Sequence, residues 1–243
     1  MSTIQTNIQS RASVGAVKFP IAVRAVIIDL DGTLLDTAED LAMAANEMLR
    51  ELRRETLPLS TIQHFIGKGV PRLVKRTLTN SLDGEPDPEL FVQALSIYER
   101  CYANHLHVHT HPYPDVISGL NRLKQDGFHL ICITNKAEAF TLPLLRAAGL
   151  LDYFELVLSG DSLPRSKPDP LPLLHACKQF GIPPESALLI GDSLNDAIAA
   201  RAAGCYIFCV PYGYNEGRDV RELDCDAVVG TILEAAGRIT RSA

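Results

Sequence analysis

No apolar run in this 243-residue chain approaches the roughly twenty residues needed to cross a bilayer, so a membrane span is not expected. Positive charge is also scarce. Lys and Arg number 23 against 29 Asp and Glu, giving a net charge of −6 that leaves no basic face to neutralise the phosphates of a nucleic acid. The six cysteines (Cys101, Cys132, Cys177, Cys205, Cys209 and Cys225) form no CxxC pair. Most lie in apolar strand-like or helical segments, where a free thiol behaves as a small hydrophobe, and a reduced, cytoplasmic setting follows. Residues 1–20 hold no acid and no apolar core of a secretory leader; their Ser, Thr and Gln content reads as a disordered tail. Internal repeats and low-complexity blocks are missing too, and the length suits one large domain or two modest ones.

Against this plain background stand four carboxylates in two short clusters: Asp29-Leu-Asp31-Gly-Thr33, and far downstream Asp192-Ser-Leu-Asn-Asp196. Each directly follows a run of mostly apolar residues, Val23–Ile28 and Ala187–Gly191, that reads as a buried strand. Acids at the C-terminal ends of parallel strands lie where an open α/β sheet forms its ligand crevice. If the two clusters meet there their charges repel, and a bound divalent cation or protonation of one of them is required.

The rest of the chain supports such a sheet. Thr37-Ala-Glu-Asp40 resembles a capping box opening a helix that runs to about Arg54. Helical apolar spacing continues to about His111, with Leu90, Phe91, Ala94, Leu95, Tyr98, Cys101 and Tyr102 on one face. Beyond Pro112-Tyr-Pro114 strands and helices alternate. Strands are expected at 128–133, 154–158, 187–191 and 205–210, and helices at 138–148, after an Asp169 cap with Pro170 in the first turn, before Gly204, and from about Thr231. This pattern predicts an α/β fold: a doubly wound, Rossmann-like parallel-sheet core over 21–36 and 113–243, with a helical cap over 37–112 inserted after the first strand.

Two further segments share the strand-end logic: Thr134-Asn135-Lys136 after the second core strand, and Ser166-Lys167-Pro168-Asp169 before a helix. An acid pair, a hydroxyl, an amine and a second acid pair suit phosphoryl transfer, where catalysis comes from positioning and from cancelling charge on the phosphoryl oxygens. Mg²⁺ suits hard carboxylate ligands. One carboxylate can attack phosphorus while another serves as acid and then base.

Asp29-Leu-Asp-Gly-Thr33, Thr134, Lys167 and Gly191-Asp192-Ser-Leu-Asn-Asp196 resemble, in order, the four motifs of the haloacid dehalogenase superfamily. The resemblance implies that Asp29 is the nucleophile and a metal ligand. It makes Asp31 the general acid/base, with its carbonyl on the metal. Thr134, Asn135 and Lys167 would hold the phosphoryl group, Asp192 would ligate Mg²⁺, and Asp196 would support the metal from behind. The dehalogenases of the superfamily lack an acid two residues after the nucleophile; Asp31 therefore favours phosphatase or phosphomutase chemistry.

Within the phosphatases the chain resembles the bacterial phosphoglycolate phosphatases, through Asp29–Thr37, Phe65-Ile-Gly-Lys-Gly-Val-Pro-Arg-Leu-Val74, Pro112-Tyr-Pro114 and Ile133-Thr-Asn-Lys136. That resemblance implies a small phosphorylated metabolite, 2-phosphoglycolate, as partner. Gly67, Lys68, Gly69 and Arg72 are candidates for its carboxylate, although Gly67-Lys-Gly69 reads equally as a helix–helix turn. β-Phosphoglucomutase, pyrophosphatase and nucleotide or sugar-phosphate phosphatase activities share the core chemistry. A phospho-acceptor signalling domain also places aspartates at strand ends, but it would lack the cap and Asp31. Monomer and dimer are both compatible with the sequence. The run His105-Leu-His-Val-His-Thr-His111 reads as a polar linker at the cap–core junction, able at most to bind Zn²⁺ or Ni²⁺ weakly.

Overall fold

Six parallel strands form the centre of the molecule in a computed structural model that describes residues 17–242. In chain order the elements begin with β1 (Ile21–Val23), β2 (Ala25–Ile28) and β3 (Leu35–Asp36). Four helices follow: α1 (Ala38–Glu51), α2 (Leu59–Gln63), α3 (Gly69–Thr79) and α4 (Pro88–Asn104). After β4 (His111–Pro112) the alternation starts with α5 (Val116–Gln125), β5 (His129–Ile133), α6 (Glu138–Ala147), β6 (Leu156–Leu158) and α7 (Leu171–Gln179). It ends with β7 (Ala187–Gly191), α8 (Leu194–Ala203), β8 (Tyr206–Cys209), β9 (Ala227–Val228), α9 (Ile232–Gly237) and β10 (Ile239–Arg241).

The main sheet has the order β6-β5-β2-β7-β8-β9. β2 lies between β5 and β7, with Ile28 in register with both Cys132 and Ile190. The chain winds outward on one side of β2 and then on the other, so the switch point of this doubly wound sheet lies at the C-terminal end of β2. Side chains alternate across the sheet. Val26 and Ile28 join the apolar cluster with α5, α6 and α9, whereas Ala25 and Ile27 join the one with α7 and α8. Burial on both faces explains why these strands are uniformly apolar rather than alternating.

β3 and β4 form a short antiparallel ladder, Leu35 with Pro112 and Asp36 with His111, through which the chain leaves and re-enters the sheet region. Between them α1–α4 build an apolar cluster of their own around Met48, Ile62, Val74, Tyr98 and Tyr102.

Several local expectations are corrected. The run Val23–Ile28 is two strands: the chain bends at Arg24, and β1 pairs in parallel with β10 in a separate ribbon. Thr37 does precede α1, but its side chain makes no capping bond. Its hydroxyl turns to Asp31, and Asp40 accepts the backbone N–H groups of Val108, His109 and Thr110, with the Thr110 hydroxyl at 2.7 Å. Long-range demand for a buried acceptor thus outweighs the local capping pattern. α1 stops at Glu51, short of Arg54. α7 starts after Pro170, one residue later than expected, with Asp169 accepting the Leu171 N–H at 2.9 Å. The tail reading for residues 1–16 falls outside the described residues, while Phe19 sets its ring edge-on to Phe208 at 6.0 Å. The histidine run is engaged in pairs: His105 meets Glu47 at 2.9 Å and His109 meets Glu39 at 3.6 Å.

Candidate active site

The end of β2 turns directly into the first acidic cluster. The Asp29 N–H still donates to Ile190 O at 3.0 Å, so the sheet holds this backbone after the strand has ended. Its buried carboxylate meets Lys167 Nζ at 2.6 Å, and the same ammonium reaches Asp196 Oδ1 at 2.7 Å. Burial works to strip Lys167 of its charge, but the two carboxylates outweigh it and hold the ammonium above its ordinary value. Burial foremost, opposed by Lys167 and reinforced by Asp196 and Asp31, lifts the Asp29 carboxyl to about 7.

Asp192, at the end of β7, is held from two sides. Thr33 Oγ1 donates to its Oδ1 at 3.0 Å, and the Tyr214 N–H donates to its Oδ2. Burial, then the charges of Asp29 and Asp196, push this carboxyl well above the usual range. The approach is possible only without neighbouring side chains. A Cβ on Gly32, whose φ is +89°, or on Gly213 would stand 2.3 Å from Asp192 Oδ2. Asp29, Asp192 and Asp196 offer carboxylate oxygens within 4.8 Å of one another, the only such cluster of potential ligands among the described residues. This all-oxygen, buried and mutually repelling set fits a hard divalent cation. Asp196 is the most committed of the three, because Ser193 N and Oγ occupy its Oδ2 while Lys167 occupies Oδ1. Here, at the start of α8, is the capping box that the sequence suggested at Thr37.

Asp31 has its own lysine. Lys136 Nζ lies 2.9 and 3.0 Å from its two oxygens, and Thr37 Oγ1 donates to Oδ1 at 2.8 Å. Thr134 ends β5 with its N–H on Leu158 O at 3.0 Å, and its hydroxyl oxygen accepts the Lys136 N–H at 3.1 Å. Asn135 Nδ2 donates to Gly67 O at 3.1 Å and to Lys167 O at 2.9 Å, bridging the helical excursion to the lysine turn.

Of these groups Asp29, Asp31, Thr134, Asn135, Lys136 and Lys167 line one cleft of about 480 Å³, counted to its open mouth. Asp29, Asp31, Thr134, Lys136 and Lys167 form its floor, and Ile66, Gly67, Gly69, Val70 and Leu73 form the opposite wall. Of the four residues expected to meet a substrate carboxylate, Gly67 and Gly69 are in the cleft. Lys68 and Arg72 are not among its lining. Lys68 pairs with Glu216 at 3.1 Å, and Arg72 reaches Glu85 at 2.6 Å and Leu82 O at 2.7 Å. The α3 helix turns Arg72 toward the 82–85 loop, which supplies both a carboxylate and a carbonyl for its guanidinium.

A model of the haloacid dehalogenase-like hydrolases matches residues 23–204 of the sequence. The chain belongs to this family. Among curated hydrolases, the phosphoglycolate phosphatase of Nitrosospira multiformis is 65% identical over 224 residues, covering 92% of this chain and 99% of its own. That of Thiobacillus denitrificans is 60% identical with the same coverage. Among solved structures, a predicted phosphoglycolate phosphatase of Haemophilus somnus matches with a TM-score of 0.83 at 30% identity, over 87% of this chain and 95% of that one. In this haloacid dehalogenase-like hydrolase the motif residues lie at the ends of β2, β5 and β7, in the turn before α7 and, for Asp196, in the first turn of α8. Sequence reasoning gave no part in the site chemistry to Lys136, Thr37 or Tyr214. Lys136 was visible as the third residue of the β5 turn. Tyr214 carried no signal, because its contacts with Asp192 and Asp36 span 22 and 178 positions.

Proposed function

We propose that this hydrolase is a Mg²⁺-dependent phosphatase of the cytoplasm, acting on a small phosphomonoester, 2-phosphoglycolate, through an aspartyl-phosphate. The observation that carries the reading is the separation of the two acids by partner. Asp29 shares Lys167 with Asp196, while Asp31 pairs with Lys136. Two carboxyl groups in such different surroundings suit different roles.

Asp29 attacks phosphorus, and the bond to the ester oxygen breaks as Asp31 gives that oxygen its proton, releasing the alcohol. Asp31 then takes a proton from water, whose oxygen attacks the phosphorus of the aspartyl-phosphate, regenerating Asp29 and freeing phosphate. The sum is ester plus water to alcohol plus phosphate. Lys167 steadies Asp29 and the phosphoryl oxygens, the Thr134 hydroxyl donates to one of those oxygens, and Asp196 fixes Lys167. Asp29, the Asp31 carbonyl and Asp192 would hold Mg²⁺, which supplies positive charge against the phosphoryl oxygens.

The helices α1–α4 act as a cap over residues 37–112 that excludes bulk water from the cleft. With Arg72 and Lys68 engaged elsewhere, the substrate carboxylate is met by the amides at the start of α3, where Gly69 and Val70 line the cleft. The 65% and 60% identical relatives named phosphoglycolate phosphatase support this substrate over a sugar phosphate or pyrophosphate.

The test is a panel of phosphorylated metabolites with Mg²⁺, ranked by kcat/KM, beside Asp29→Asn. We expect 2-phosphoglycolate to lead and Asp29→Asn to lose at least about 10³-fold. A sugar phosphate in first place overturns the substrate. Normal turnover by Asp29→Asn overturns the nucleophile, and phosphorylation without turnover points to a signalling acceptor instead.

A further inference from the structure

Lys167 is accounted for by Asp29 and Asp196; the second buried lysine of the cleft is not. Lys136 is 4% exposed, and a buried ammonium of this kind persists only with a close partner. Its partner is Asp31, met on both oxygens at 2.9 and 3.0 Å. The lysine itself is fixed along its whole length. Its N–H donates to Thr134 Oγ1, and its carbonyl accepts from Gly160 N at 2.8 Å and Thr141 Oγ1 at 3.0 Å. Its Nζ rests 4.9 Å from the centre of the Tyr102 ring, contributed by the fully buried face of α4. Thr37 completes the setting by donating to Asp31 Oδ1 from the start of α1.

We infer that Lys136 is a positioning residue for Asp31, fixing the carboxyl so that its oxygen meets the leaving-group oxygen of the substrate. The inference rests on the reading of Asp31 as proton donor given above. A carboxyl free to rotate about its Cα–Cβ and Cβ–Cγ bonds spends little time aligned with a departing oxygen, and proton transfer demands alignment as well as proximity. Thr37 alone fixes one oxygen; Lys136 fixes both. Because Tyr102 and Thr37 belong to the helical excursion while Lys136 belongs to the β5 turn, the acid is aligned only when α1 and α4 are seated on the sheet. The alignment of Asp31 therefore reports the position of those helices.

A misaligned acid slows the departure of some leaving groups and spares others, whereas the later water step, in which Asp31 is the base, is the same for every ester. The phenolate leaving p-nitrophenyl phosphate is stable and needs little protonation, whereas the alkoxide leaving an alkyl phosphate needs a full proton. The experiment compares the wild type with Lys136→Gln, Lys136→Arg, Asp31→Asn and the double variant Asp31→Asn/Lys136→Gln. Each is assayed with saturating Mg²⁺ in single turnover, enzyme in excess, so that release of the phenol or alcohol is read apart from the later water step in which Asp31 is the base. The esters are p-nitrophenyl phosphate and whichever alkyl phosphomonoester turns over fastest. For Lys136→Gln, the single-turnover rate of alcohol release from the alkyl ester should fall about 10- to 100-fold with the half-saturating concentration within about threefold, and phenol release from p-nitrophenyl phosphate should slow by no more than about threefold. Lys136→Arg should recover part of the loss, since its forked guanidinium replaces a point charge. The double variant should be no slower than Asp31→Asn.

A raised half-saturating concentration at an unchanged release rate would assign Lys136 to the substrate and overturn the inference. So would an equal loss on both esters, or a further loss in the Asp31→Asn background. If Asp31→Asn shows no selective loss on the alkyl ester, the reading of Asp31 fails whatever Lys136 does. If Lys136→Gln has no cooperative urea transition, Lys136→Arg decides, and a loss without preference for the alkyl ester overturns the role.

Discussion

Arg76 on α3 donates to Glu216, on the loop after β8, at 2.6 Å. The guanidinium is 1% exposed, and its remaining bonds go to Phe65 O and Leu82 O within the helical excursion. Lys68 adds a second contact to the same carboxylate. Two residues away, Tyr214 gives its N–H to Asp192, while its hydroxyl donates to Asp36 and accepts the N–H groups of Thr37 and Ala38. One short loop thus touches an acid of the Asp29, Asp192 and Asp196 cluster, the start of α1 and the side chain of Arg76 on α3.

Glu216→Ala should cost about 3 kcal/mol of stability, because it leaves a buried guanidinium without its counter-charge. Urea unfolding gives the value directly. Burial works to raise the Glu216 carboxyl, but the hydrogen bonds from Arg76 and Lys68 win and hold it below its usual range. A carboxyl depressed in the folded state stabilises above its unfolded value of about 4.3, and the contribution is lost as pH falls through the lower, folded value. Wild type should therefore lose more stability than Glu216→Gln on going from pH 5 to pH 3. Parallel losses would show that the pair contributes nothing to acid sensitivity.

The opposite sign applies to Asp29, whose carboxyl stands at about 7, raised chiefly by burial. A raised carboxyl binds its proton more tightly when folded, so its stabilisation is full below about pH 4 and fades as pH rises through about 7. The metal-free protein should show a thermal midpoint that declines from pH 5 to pH 8, and Asp29→Asn should flatten the decline. Saturating Mg²⁺ should remove it as well. Cation at a hundred times its Kd should add about 2.7 kcal/mol. A midpoint insensitive to Mg²⁺ at pH 8 would count against the acidic cluster as its site.

Gly213→Ala forces a methyl group to within 2.3 Å of Asp192 Oδ2 and of the Gly32 carbonyl. Asp192 must move, and Mg²⁺ affinity should fall about 10- to 100-fold, the cost typical of disturbing a ligand's support. Isothermal titration measures this without reference to turnover. Unchanged affinity would mean that Asp192 is not a ligand.

Asp40 is wholly buried and accepts three backbone N–H groups and one hydroxyl from the Val108–Thr110 turn. Asp40→Ala should destabilise by about 3 kcal/mol, since those donors are left without an acceptor, and Asp40→Asn by less. Equal unfolding midpoints for the three proteins would contradict this.

The sheet and the acid clusters were legible because each is local: an apolar run of strand length followed at once by its carboxylates. The family resemblance then gave order to residues 160 positions apart. Partners across the fold were not legible. Arg72 read as a substrate contact because a basic residue near a glycine turn has that chemistry, yet nothing nearby in sequence shows that α3 aims it at Glu85. Asp40 read as a helix cap because Thr37 stands three residues before it; its real partners lie about 70 positions on. The break at Arg24 was hidden for the same reason. Val23 and Ala25 are both apolar, and only pairing with β10 separates them.

The ladder of β3 and β4 brings the two ends of the helical excursion side by side, so the segment between them is a natural unit of exchange. A relative's helices could be spliced in at Leu35 and Pro112 with little loop to close. The graft would carry new walls for the cleft, but Glu216, Tyr214 and Lys136 would stay behind in the recipient. Unless the incoming helices bring an arginine, a turn and an aromatic ring to meet them, the transplant leaves Glu216 without its guanidinium and Lys136 with Asp31 but without its ring and the Thr37 hydroxyl beside it. Changing what this enzyme accepts therefore requires moving two pieces of chain together.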